Sequence, residues 1–257
     1  MNKTGEYIKS RQDILSVYFT AGYPQKESTK EIILALQTAG AGLIEVGIPF
    51  SDPLADGPVI QKSGEVALEN GFTLQELFQD LKGIQTHLKI PLVLMGYFNT
   101  AFAFGVESFL NNCNELNIDT IILPDLPVEV YEKSYRTLFM KYGVSPVFLI
   151  SPQTSEQRIS LIDSLSNAFI YVVSDNSITG SKSGFSTYQL DYFQRIKDRQ
   201  LSAPQLIGFG ISDAATFSTA CHYANGAIVG SAFIKQLSAD TNIQDTVSKF
   251  MLMIKSK

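Results

Sequence analysis

Residues 43–61 read LIEVGIPFSDPLADGPVIQ. The opening run, Leu43 to Ile48, is dense in Leu, Ile and Val and holds one carboxylate, Glu45. A run this apolar, with little polar alternation, predicts a strand covered on both faces, as in a parallel sheet. The segment after it contains Pro49, Pro53, Asp52, Asp56 and Gly57, the composition of an ordered connection. Pro58 suits the first turn of a following helix. Strand, connection and helix make one βα unit.

The unit recurs along the chain. Seven further apolar runs lie at Leu15 to Thr20, Pro91 to Gly96, Thr120 to Pro124, Pro146 to Ile150, Phe169 to Val173, Gln205 to Phe209 and Ala227 to Val229. Helical spacing of apolar residues is found at Lys26 to Ala39, Ser63 to Asn70, Leu74 to Leu88, Val106 to Leu116, Val128 to Tyr142, Ser155 to Leu165, Thr187 to Arg199, Asp213 to Tyr223 and Thr246 to Ile254. Thr73 with Glu76 three residues on predicts a capping box, and Ser155 and Asp213 are further start signals. Eight alternations of β and α, about 32 residues apiece, predict an α/β protein of the (β/α)8 TIM-barrel class. No Pro-, Gly- or Ser-rich linker interrupts them, so residues 1–257 are expected to form a single domain. A doubly wound open sheet is the alternative.

Composition narrows the function. Of 257 residues, 45% are hydrophobic and 18% charged, which suits a globular protein with a large core. The 20 basic against 25 acidic residues give a net charge of −5 and no basic stripe, so no nucleic-acid partner is expected. No apolar run approaches the ~18 residues of a membrane span. Met1 to Lys9 is polar and lacks the apolar centre of a signal peptide, so a cytoplasmic location is expected. Cys113 and Cys221 read as two thiols in a reducing compartment. His87 and His222 stand at no zinc-ligand spacing from the cysteines, and no metal site is expected.

In such a barrel the chemistry sits at the carboxyl ends of the strands. Polar residues at or near those ends are Thr20, Asn99, Asp125, Ser151, Ser174 and Ser231, with Glu45 inside its run. A carboxyl aimed into a barrel is costly unless paired or protonated, and burial would lift its pKa toward neutrality, as suits a group that gives and takes a proton. A structural Glu satisfied by backbone donors is the other reading. Asp52 or Asp56 would be a second carboxylate facing it, or a turn former. Gly208-Phe209-Gly210 and Gly230-Ser231 close the seventh and eighth runs, where such barrels hold phosphate. Ser174 to Ser186, SDNSITGSKSGFS, reads as a lid or as a surface excursion. No lysine or histidine closes a strand, which removes Schiff-base and metal aldolase chemistry. What remains is carboxylate acid–base work on a phosphorylated substrate.

From Leu43 to Gln61 the chain closely resembles the tryptophan synthase alpha chain family. The likeness extends to Tyr18-Phe19-Thr20-Ala21-Gly22-Tyr23-Pro24, Met95-Gly96-Tyr97-Phe98-Asn99, Pro124-Asp125-Leu126-Pro127, Ser174 with Ile178-Thr179-Gly180, Gly208-Phe209-Gly210-Ile211 and Val229-Gly230-Ser231-Ala232. The resemblance implies cofactor-free retro-aldol cleavage of indole-3-glycerol phosphate to indole and glyceraldehyde 3-phosphate. It implies that Glu45 protonates indole C3 and takes the glycerol hydroxyl proton, and that Asp56 accepts a hydrogen bond from the indole N–H. It further implies a pocket with Phe19, Tyr171 and Phe209, a lid residue Thr179 that orders against Asp56, and phosphate held by Gly180, Gly210, Gly230 and Ser231. Leu123 would help line the flat apolar slot that indole needs. The implied partner is a beta chain carrying pyridoxal phosphate, in an alpha2beta2 heterotetramer that passes indole on to tryptophan synthesis.

The chain departs from the family's usual pattern at Ser177, where a glycine is common, at Asp175-Asn176, and at Ser151-Pro152-Gln153-Thr154. These departures bear on the lid and on coupling to the partner; Glu45, Asp56 and Thr179 match.

Overall fold

In the computed structural model, the described residues are 1–174, 184–240 and 242–256. They form a closed barrel of eight parallel strands, each hydrogen-bonded to its neighbours in chain order. The strands are β1 Ile14–Thr20, β2 Leu43–Gly47, β3 Leu92–Met95, β4 Thr120–Ile122, β5 Ser145–Ile150, β6 Ile170–Val173, β7 Gln205–Gly208 and β8 Gly226–Val229. The eight predicted runs are these eight strands, and closure through the β1–β8 pair excludes the open sheet. Register sets Tyr18 beside Glu45 and Glu45 beside Val93.

Two apolar layers follow from the two-residue period of a strand. Leu15, Val17 and Phe19 of β1 point outward and pack in one cluster with Ile32, Ile33 and Leu36 of the helix Ser28–Thr38. Ile14, Leu43, Val93, Ile122, Val147, Phe169, Tyr171 and Leu206 fill the barrel interior as a second cluster. The thirteen-residue helix Ile243–Lys255 closes the outer ring against Ser28–Thr38, with Val247, Phe250, Met251 and Ile254 buried.

The segment Met1 to Lys9 contains an unexpected helix, Lys3–Lys9, that closes the barrel floor. Asn2 caps it by accepting from the Gly5 N–H at 2.8 Å. The Asn2 amide donates to Asp119 O and Thr120 Oγ1, each at 2.8 Å. Thr4 in turn donates to the Asp119 carboxylate. So held, Ile8 joins the interior cluster from below. A second unpredicted helix, Phe98–Phe104, follows β3. The single helix expected over Val128 to Tyr142 is broken into Val128–Val130 and Arg136–Lys141 by a wider-wound π segment, Tyr131–Tyr135. Pro58 does open the helix Pro58–Glu69, and Thr73 and Glu76 do form the capping box of Leu74–Ile84.

Candidate active site

Glu45 projects into the barrel on β2 and is 1% exposed. Its Oε1 accepts a 2.7 Å hydrogen bond from Ser16 Oγ, itself buried on β1. Its Oε2 is buried with no partner among the described residues. Burial raises the carboxyl pKa from 4.5 to about 7, and the Ser16 bond pulls the other way. Backbone donors do not satisfy this carboxylate; a single serine does, and only on one side. Burial thus brings the carboxyl toward neutral pH, which suits a group that gives and takes a proton.

Asp56 stands on the connection after β2, partly buried, with its pKa raised from 3.8 to about 6 by burial against the opposing pull of a hydrogen bond from Tyr97. Tyr97, just past β3, organises that connection. Its Oη donates to Asp56 Oδ2 at 3.2 Å and accepts the Ala55 N–H at 2.9 Å, and its ring stacks on Phe50 at 4.9 Å. Gln61 on the next helix donates to Asp56 O and Pro53 O. Ser63 of that helix shares a buried 2.6 Å hydrogen bond with Thr20 at the end of β1. Asp52 is exposed and bonded to Ser51 in the same loop. Of the two aspartates, the structure brings only Asp56 to the acid site.

Phe19 does not join the pocket. It lies in the outer layer against the helices, one residue out of phase with the inward positions of β1. Tyr18 is the inward aromatic, and its hydroxyl pKa is pushed far up by burial and then by Asp56, with Glu45 adding to it. Leu123 likewise packs outward, and Ile122 faces in. Tyr171 is inside as expected, with its ring edge-on to Phe209 at 6.1 Å. Two glycines make room for the tyrosines. A Cβ on Gly47 would sit 2.2 Å from Tyr18 Oη, and one on Gly208 would sit 2.1 Å from Tyr171 Oη.

The two glycine turns are adjacent, because β7 pairs with β8. Phe209 is 39% exposed and holds the left-handed backbone at φ 66, rare for a bulky residue. Gly210 follows at φ 76. Ser174, just past β6, clamps this turn: its Oγ donates to Phe209 O at 2.7 Å and its N–H to Gly208 O at 3.1 Å. Gly230 precedes the short helix Ser231–Ile234, whose first N–H groups have no intrahelical partner. A Cβ on Gly230 would touch the Tyr18 ring at 3.3 Å, so Tyr18 lies against the turn at Gly230 as well as beside Glu45. Thr179, Gly180, Ser177 and most of the expected lid lie outside the described residues.

Sequence reading missed Ser16, Tyr18 and Tyr97. The signals were a lone hydroxyl inside an apolar run and an aromatic immediately past a strand. Among the described residues no group of three or more His, Cys, Asp or Glu could hold a metal ion. A cavity of about 270 Å³ lined by Lys3, Tyr7, Gln85, Lys89 and Asp119 lies at the opposite, amino-terminal end of the barrel and contains none of the acid–base residues.

The chain matches the family model described as tryptophan synthase alpha chain over residues 6–256. It is 51% identical over 256 residues to the tryptophan synthase alpha chain of Christiangramia forsetii, covering 100% of this chain and 99% of that one. It is 54% identical over 238 residues to that of Flavobacterium johnsoniae, covering 93% and 94%. A chain in the crystal structure of the Pyrococcus furiosus tryptophan synthase complex superposes with a TM-score of 0.85 at 35% identity, covering 95% of this chain and 98% of that one.

Proposed function

The chain belongs to the tryptophan synthase alpha chain family, and on that footing we propose that Glu45 and Asp56 carry the family's reaction here. The alpha subunit cleaves indole-3-glycerol phosphate, yielding indole and glyceraldehyde 3-phosphate, and this chain is a lyase of that type acting in tryptophan biosynthesis. Protonated Glu45 delivers its proton to indole C3. Positive charge then develops toward the ring nitrogen, where Asp56 accepts the N–H. The Glu45 carboxylate next takes the glycerol hydroxyl proton as the bond from C3 to the glycerol carbon breaks and the aldehyde forms. One proton is given and one taken, so the chain needs no cofactor for this balance. Tyr18, Tyr171 and Phe209 flank the indole, and Gly210, Gly230 and Ser231 offer N–H groups and a hydroxyl to the phosphate. Thr179 and Gly180 belong to the same proposal on the strength of the family resemblance.

The observation that carries this reading is the Glu45 carboxyl: sealed in the barrel, pinned at one oxygen, unpartnered at the other, and poised near neutral pH. The test is indole release from indole-3-glycerol phosphate. Glu45→Gln is expected to abolish it with fold and ligand binding largely intact. Asp56→Asn is expected to lower turnover much more than binding. Near-normal turnover of Glu45→Gln would overturn the assignment.

A beta chain carrying pyridoxal phosphate is the proposed partner, in an alpha2beta2 assembly. Three exposed apolar side chains support a contact at the barrel mouth: Leu54 at 93%, Phe102 at 63% and Val130 at 42% exposure, on the segments following β2, β3 and β4. Co-elution with the beta chain, lost when Leu54 and Phe102 become charged, tests it. Among the described residues no helix is long and apolar enough to cross a membrane, and a cytoplasmic site of action is part of the proposal.

A further inference from the structure

Ser16 occupies an inward position of β1, two residues before Tyr18, the register neighbour of Glu45. It is fully buried, and its hydroxyl donates to Glu45 Oε1 at 2.7 Å. Much of that interior is apolar, with Ile14, Leu43, Val93 and Leu206 around it. A hydroxyl in such a place loses water and gains nothing unless it has a partner. Glu45 is that partner, and the bond is to one oxygen only, since Oε2 has no partner among the described residues.

We propose that Ser16 is a positioning residue of the acid–base site, pinning Oε1 of Glu45 so that Oε2 is the oxygen that carries the proton to and from substrate. The inference rests on the reading of Glu45 as the acid–base. A glutamate has three rotatable bonds, and an unanchored carboxyl would sample orientations that miss the reacting carbon. One strong bond to Oε1 removes much of that freedom before substrate arrives. A serine hydroxyl donates to the carboxylate and to the carbonyl oxygen of the neutral acid alike. It thus holds the group through both halves of the reaction, and more tightly when it is ionised. Among the described residues, the ionisable groups that interact with Glu45 are Tyr18 on β1 and Tyr171 on β6, both of which also feel Asp56 on the connection after β2; the β3 neighbour, Val93, is apolar. Burial holds both tyrosines neutral across the working pH range, which leaves Asp56 as the group among these that changes charge there.

The test compares Ser16→Ala, Ser16→Thr and Ser16→Cys with wild type by two readouts. The first is the titration of the Glu45 carboxyl by infrared difference spectroscopy, its band assigned by loss in Glu45→Gln. The second is kcat and KM for indole release. Ser16→Ala is expected to move the Glu45 midpoint up by about one pH unit, because the lost bond favours the ionised form. It is expected to lower kcat about tenfold while KM changes by less than about threefold. Ser16→Thr, which keeps the donor, restores both. If Ser16→Ala does not fold, Ser16→Cys, a near-isosteric and weaker donor, should show the same upward shift. An unmoved midpoint in the alanine or cysteine variant, or a kcat loss that threonine does not restore, overturns the proposal. The two readings fail separately: turnover by Glu45→Gln removes the acid–base itself, whereas an inactive Glu45→Gln with an unmoved Ser16→Ala midpoint removes only the role of Ser16.

Discussion

Glu45→Gln should make the protein more stable at pH 8 and not at pH 4.5. In the folded chain the Glu45 pKa is raised from 4.5 to about 7, so between those values the folded state binds more protons than the unfolded state. Stability from this group is therefore fully present below pH 4.5 and is lost as pH rises toward 7. At about 1.4 kcal/mol per unit, the ionised carboxylate burdens the fold by about 3 kcal/mol at pH 8. Glutamine cannot ionise and escapes that burden. Its NH2 must find an acceptor, for which the Ser16 hydroxyl is placed, and any mismatch there is a pH-independent offset. Asp56 titrates in both proteins and cancels in the comparison. The quantity to measure is thus the gap in unfolding free energy between variant and wild type at pH 4.5, 6 and 8. Urea titration followed by circular dichroism serves, as the chain has no Trp. The gap should widen in favour of the variant by about 3 kcal/mol across this range. A gap that stays constant from pH 4.5 to 8 would refute the claim that Glu45 is held in the folded state at a raised pKa.

Two other substitutions follow from the packing. Gly47→Ala puts a methyl into the Tyr18 hydroxyl, so Tyr18 must move; stability should fall by about 1–3 kcal/mol in thermal unfolding, with kcat/KM down more than tenfold because Tyr18 lies between Glu45 and the turn proposed to hold phosphate. Phe209→Gly relieves a left-handed backbone and should leave stability unchanged or raise it by about 1 kcal/mol, while KM for indole-3-glycerol phosphate rises through loss of the ring beside Tyr171.

The barrel was legible because each strand is buried on both faces, and long apolar runs separated by amphipathic helices have few other solutions. That same burial hid the pocket. Tyr18 and Phe19 are adjacent aromatics in a strand with no exposed residue, so composition cannot say which looks inward. The register can, and it selects Tyr18. Ile122 and Leu123 present the same ambiguity with the same outcome. Glu45 stood out as the lone carboxylate in an apolar strand, where a structural Glu was also open, and the structure turns it inward onto Ser16 rather than onto backbone donors. Asp56 was separable from Asp52 only by resemblance, since their side chains differ in what Tyr97 reaches, and that contact joins residues 41 apart in the chain. The helices Lys3–Lys9 and Phe98–Phe104 span two turns each, too short for periodicity to register against their polar or wholly apolar surroundings.

The helix that stoppers the barrel floor has a bearing on traffic. With Ile8 seated among the interior side chains from below, side chains fill the amino-terminal end of the barrel. On the reading proposed above, substrate and product would then share the carboxyl-end rim, where Leu54, Phe102 and Val130 are exposed.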